Sequence, residues 1–117
     1  MRNDKDNLIV TKSFEFALLI IEFTELLESK RKFVIANQLL KSGTSIGANI
    51  REAQNAESKA DFLHKMKIAG KEADETEYWL LLCKFSKTHP FDESILNELI
   101  EINKILNKII VTSKKRI

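Results

Sequence analysis

The sequence predicts an all-α protein, an antiparallel up-down-up-down four-helix bundle in a single domain over residues 1–117. Three observations carry that prediction. Helix breakers are scarce: 117 residues hold only 3 Gly and 1 Pro, while 44% are hydrophobic and 31% charged, a composition that favours helix. Two successive stretches carry heptad seams, Ile35, Leu39, Ser42, Ile46, Asn49, Ala53 and Ala56, then Phe62, Met66, Ala69, Ala73, Thr76, Leu80 and Cys83. That 4-3 spacing lays each set along one stripe of a helix. The connections between periodic segments are short, which makes consecutive helices antiparallel neighbours.

Helix one is expected from about Asp6 to Glu28, with Val10, Phe14, Ala17 and Ile21 on one stripe. Phe16, Leu18, Leu19, Ile20 and Phe23 fall outside it, so this helix is apolar on more than one face. A helix apolar nearly all round asks to be buried all round, and one bundle core in so short a chain cannot do that. A second contact, with another subunit, is the expectation. Ser29-Lys30-Arg31-Lys32 interrupts the pattern and leads into helix two, from about Phe33 to Ala56. Gly43 and Gly47 cost this helix roughly 1 kcal/mol each against Ala, which a closely approaching neighbour would explain.

No Gly or Pro separates helices two and three, and a continuous rod would reach about 75 Å at ~1.5 Å per residue. The seams argue against it, because a heptad step from Ala56 lands on position 63 while the next seam starts at Phe62. Ser58 and Asp61 also form an S-x-x-D start, so a tight turn is placed near Asn55–Ser58. Helix three then runs to about Phe85. Ala, Ser and Thr in mid-seam let axes approach, making helices two and three the expected tight inner pair. A loop from Ser86 to Phe91 holds the only proline, and Asp92 is the expected N-cap of helix four. There Ile95, Leu99, Ile102, Leu106 and Ile109 repeat the spacing. The tail Lys114-Lys115-Arg116 is expected to fray into solvent.

The formal charge is only +2, too little to imply a nucleic-acid partner. Its distribution says more: residues 30–71 hold nine Lys or Arg against three acids, and Glu72, Asp74, Glu75 and Glu77 follow without a base. The lone Cys83 sits on an apolar seam, as a small core residue in a reducing compartment would. No signal peptide is expected from the charged start Met1-Arg-Asn-Asp-Lys-Asp. The apolar run Phe14–Phe23 is half the length of a membrane span and is interrupted by Glu15 and Glu22. A cytoplasmic protein without membrane contact is expected.

The inventory for catalysis is thin. Asp61 and His64 share a helical face, but di-iron bundles need two such pairs plus further glutamates, so no metal site is expected and His64 reads as a surface residue. His89, beside Pro90, reads as solvent-facing. No nucleophile elbow, P-loop or dinucleotide fingerprint appears, and neither enzymatic activity nor a cofactor is expected. A metal-assisted enzyme using Asp61, His64, Glu72 and Glu75 is the weakest alternative. Asn49, Glu52, Glu72 and Glu75 could gather as a buried polar cluster that fixes helix register, paired by Arg51, Lys67 and Lys71.

The best binding candidates are Arg51, Lys59, Lys65, Lys67 and Lys71, since phosphate contact needs only positive charge with reach. Tyr78 and Trp79 lie among Leu80, Leu81 and Leu82, which argues against an exposed ladder for base stacking. Repeated around a ring, weak patches of this kind would act together. The expected function is therefore a non-enzymatic module that binds RNA or DNA through charge, with a protein–protein scaffold as the alternative.

The stretches SIGANIREAQNAES (45–58) and DFLHKMKIAGKEADETEYWLLL (61–82) resemble the four-helix-bundle proteins encoded in intervening sequences of bacterial 23S ribosomal-RNA genes. Lys12-Ser13, Phe16-Ala17, Gln38-Leu39 and Ser42 fit the same pattern. The most telling matches are Ser45, Asn49, Ile50, Glu52, Ala53, Lys71, Glu72, Ala73, Thr76 and Trp79. The resemblance implies a homopentameric barrel of four-helix subunits without enzymatic activity. The chain is also similar to the accessory variability determinant of diversity-generating retroelements, which implies nucleic acid and a reverse transcriptase as candidate partners.

Overall fold

The computed structural model describes residues 7–116, and four helices organise them: α1 (Leu8–Ser29), α2 (Phe33–Ala53), α3 (Lys59–Phe85) and α4 (Glu93–Lys115). The expected start of helix one at Asp6 lies outside the described residues. Each helix packs on its two neighbours in the order α1-α2-α3-α4-α1, so the fold is the up-down-up-down bundle. The bundle is 46 Å long, too short for α2 and α3 to be one rod.

α2 is the most enclosed helix, meeting both α1 and α3 extensively while α4 packs more loosely. Its glycines explain the α1 contact. A Cβ on Gly43 would stand 2.8 Å from Ile20 Cγ1, and one on Gly47 would stand 3.2 Å from the Ser13 carbonyl oxygen. Only glycine lets the α1 backbone and the fully buried Ile20 come this near. Toward α3 the seam residues Leu39, Ser42 and Ile46 meet Met66, Ala69, Ala73, Thr76 and Leu80, all buried. Thr76 Oγ1 lies 2.9 Å from Ser42 Oγ and donates to the Glu72 carbonyl at 2.7 Å. Among the described residues no buried side-chain polar atom lacks a partner, as a closely packed core requires.

The α1 stripe differs from expectation. Phe14 and Ile21 face outward, whereas Ile9, Phe16, Ile20, Phe23 and Leu27 fill the core with Val10. The sequence could not choose between stripes because both are apolar; the packing of Ile20 and Ser13 onto the α2 glycines makes the choice.

The ends are set by local hydrogen bonds. α1 closes in a Schellman motif: Lys32 N donates to the Leu27 carbonyl and Arg31 N to the Glu28 carbonyl, both at 2.8 Å. Arg31 holds the left-handed position, with φ 63°. α2 stops at Ala53, short of the expected Ala56. The amides of Gln54, Asn55 and Ala56 each reach back three residues instead of four, tightening the chain into the turn. Ser58 caps α3 by accepting from Asp61 N at 3.0 Å, and Asp61 Oδ2 accepts from Glu57 N at 3.1 Å. Asp92 caps α4, accepting from Ser94 N at 2.9 Å. Lys114 and Lys115 continue α4 as its last, exposed turn rather than fraying. No helix among the described residues is long and apolar enough to cross a membrane.

Candidate nucleic-acid interface

Antiparallel packing collects cations at the end of the bundle where α2 finishes, α3 begins and α4 finishes. Arg51 lies in the last turn of α2, Lys59 is the first residue of α3, and Lys114, Lys115 and Arg116 close α4. α1 also begins at this end. Lys59, Phe62, Ser113 and Arg116 line one groove of about 140 Å³. An adjoining hollow adds Lys108 and Thr112 around the same Phe62. No acid lines either one. Three cations, two hydroxyls and a half-buried aromatic ring therefore converge between α3 and α4.

The five sequence-predicted binding residues do not form one surface. Arg51 is exposed beside the groove between α1 and α2, which also holds Val10, Phe14, Ala17, Thr44 and Ala48. Lys65 is half-buried and paired with Asp61 at 3.6 Å. Two residues apart on a helix means nearly opposite directions, so Lys65 and Lys67 point away from each other. Lys67 and Lys71 share the outward face of α3, exposed and without an ion-pair partner among the described residues. The ion pairs between helices lie elsewhere: Lys12 reaches Glu98 and Glu101 of α4 at 3.6 and 3.8 Å, and Lys84 reaches Glu93 at 3.2 Å.

The polar cluster expected around Asn49 does not assemble. Asn49 Nδ2 donates to the Ser45 carbonyl of its own helix at 2.8 Å, Glu52 is exposed, and Glu75 accepts from Trp79 Nε1 at 3.3 Å. Glu72 is raised above the usual carboxylate range, chiefly by burial and then by Glu75, with Lys41 opposing. The cation that opposes this shift is Lys41 of α2, not Lys71. Among the described residues no three His, Cys, Asp or Glu side chains gather closely enough to hold a metal ion. His89 is not simply solvent-facing: it is half-buried, with Nδ1 2.9 Å from Ser86 Oγ, and it ties down the α3–α4 loop.

A family model described as "23S rRNA-intervening sequence protein" matches residues 5–108. The chain belongs to this family. Among solved structures, it is similar to a protein of unknown function from the S23 ribosomal protein family of Bacteroides thetaiotaomicron VPI-5482. The two are 50% identical, with a TM-score of 0.82, over 87% of this chain and 97% of that one. No curated protein matches. The 23S rRNA-intervening sequence family match ends at Lys108, so Ser113 through Arg116, half of the basic groove, lie beyond it. Sequence reasoning missed Lys108 and Arg116 because nothing local links them to Lys59. The signal was present in the phase of α4: Lys108, Thr112 and Arg116, four residues apart, fall on adjoining turns, leading to the α3 start once the two helices are antiparallel.

Proposed function

We propose that this chain is a cytoplasmic, non-enzymatic homo-oligomer that binds RNA or DNA without reading sequence, through the basic end of each bundle repeated around a ring. The observation that carries the reading is the convergence of Lys59, Lys108 and Arg116 on Phe62, with no acid among them. Cations with reach supply phosphate contact, and an aromatic face between them accepts a base or ribose. In a ring whose axis follows the helices, every copy turns this end to the same rim, so weak sites add. The family's name ties its members to sequences that interrupt 23S ribosomal RNA, which makes structured RNA the first probe; the resemblance to the 23S-intervening-sequence proteins implies five copies.

Fluorescence anisotropy with a structured RNA and a DNA duplex, over a series of salt concentrations, tests this. Affinity should fall steeply with salt, and removing one phosphate-binding cation should cut the log–log slope by about 0.7–0.9. Lys59→Glu with Arg116→Glu should weaken binding at least tenfold while helicity and particle mass stay unchanged. Binding that ignores salt, or ignores this double change, overturns the proposal. Recovery of a single nuclease-resistant protein partner instead would favour the scaffold reading.

A further inference from the structure

The hydroxyls beside the basic groove are unspent. Inside the helices, Ser13, Thr24, Thr44 and Ser45 each donate to a carbonyl of their own helix, the usual local partner of such a group. Thr112 and Ser113 of α4 make no side-chain hydrogen bond among the described residues. Phe62, Ser113 and Arg116 border both hollows at this end; Lys59 closes the smaller and Lys108 the larger, which encloses about 340 Å³. Pockets that take a small organic group begin at about 300 Å³. Lys59, Lys108 and Arg116 have no ion-pair partner among the described residues.

We infer that this groove takes an unpaired nucleotide of a single-stranded RNA; this names the substrate class of the site proposed above and rests on that reading. The base lies on Phe62, and the ribose 2′-hydroxyl meets the hydroxyl of Ser113 or Thr112. One flanking phosphate falls to Lys59 and Arg116, the other to Lys108.

Three features select a single strand over a duplex, and RNA over DNA. Phe62 is half-buried and packed against the core, so its ring is a fixed platform set between α3 and α4. A duplex turns phosphates and base edges outward and keeps its base faces stacked on one another, so only an unpaired base can lie on a recessed aromatic ring. The cations flank that ring along the groove instead of forming a flat field. Lys108 and Arg116 of α4 stand eight residues apart, roughly 12 Å along the helix, which suits phosphates on either side of one splayed nucleotide. The hydroxyls then have a use, because the ribose 2′-hydroxyl both donates and accepts, and it is the group that separates RNA from DNA at a protein site. Stacking tolerates every base, in keeping with binding that does not read sequence.

Fluorescence anisotropy tests this with a labelled oligouridylate strand, its deoxy counterpart, and the same RNA strand paired with oligoadenylate. At high salt, where phosphate contacts weaken, the single RNA strand should bind about threefold or more tighter than either of the others. Phe62→Leu, which keeps an apolar side chain against the core, should weaken binding of the RNA strand about fivefold or more, and Phe62→Tyr, which keeps the aromatic face, should restore it. Thr112→Val with Ser113→Ala should remove the preference for RNA over DNA. Circular dichroism checks that each variant is folded, and the comparison of the three ligands on the wild-type protein stands even where Phe62→Leu fails to fold. Equal binding of the RNA and deoxy strands overturns the ribose contact. A duplex held as tightly as the single strand at high salt, or a strand indifferent to Phe62→Leu, overturns the unpaired base; if Lys59→Glu with Arg116→Glu still weakens binding, the charge-based reading stands without it. Binding indifferent to that double change overturns both.

Discussion

Gly43 offers the sharpest test of how α1 and α2 are held together. Replacing a helical glycine by alanine ordinarily stabilises by about 1 kcal/mol, because alanine restricts the unfolded chain more. At Gly43 the new methyl would lie 2.8 and 2.9 Å from the two γ carbons of Ile20, a β-branched side chain with no exposed surface. Inserting a methyl into a filled core costs typically about 1–3 kcal/mol. The net effect of Gly43→Ala should therefore run from near zero to a loss of about 2 kcal/mol. Gly70 supplies the control. A Cβ there meets only Ile110 Cδ1 at 3.7 Å, an ordinary contact, so Gly70→Ala should gain close to the full ~1 kcal/mol. Gly47 should fall on the unfavourable side too, since its obstacle at 3.2 Å is the Ser13 backbone carbonyl, which cannot swing away. Urea denaturation followed by circular dichroism at one fixed protomer concentration measures all three; the concentration matters because assembly adds to apparent stability. Ile20→Ala should be less damaging in the Gly43→Ala background than alone, since it removes both clashing carbons. The reasoning is refuted if Gly43→Ala stabilises as much as Gly70→Ala.

The other predictions concern a thiol and a turn. Burial pushes Cys83 up to about 11 from 9.0. Its ionisation thus favours the unfolded chain, leaving stability untouched below pH 9 and lowering it as pH rises toward 11. A thiol reagent at pH 8 should react with Cys83 many times faster in urea than in the native state, and Cys83→Ser should flatten the melting-temperature decline between pH 9 and 11. Arg31 occupies a left-handed position at φ 63° that glycine adopts freely, so Arg31→Gly should raise stability by about 0.5–1 kcal/mol. Melting in high salt, where loss of one surface charge counts little, checks this; a lower midpoint would show that the Arg31 side chain contributes more than its backbone costs.

The sequence by itself determined whatever depends on neighbours along the chain. Heptad spacing placed Met66, Ala69, Ala73, Thr76, Leu80 and Cys83 inside, and all are buried. Ser58 and Asp92, each followed by a run of helix-forming residues, announced the caps of α3 and α4, since a cap needs only an oxygen within three residues of a free amide. Tertiary structure decided what depends on choosing among equals or joining distant residues. In α1 nearly every turn offers an apolar side chain on two faces, so periodicity could not say that Phe16 and Ile20 point inward and Phe14 outward; the fit of Ile20 against Gly43 did. Among the cations, sequence proximity grouped Lys65 with Lys67 and Lys71, although a two-residue step turns a helical side chain nearly half-way round. The grouping of Lys59 with Lys108 and Arg116 came only from antiparallel packing, which brings the first turn of α3 beside the last turns of α4.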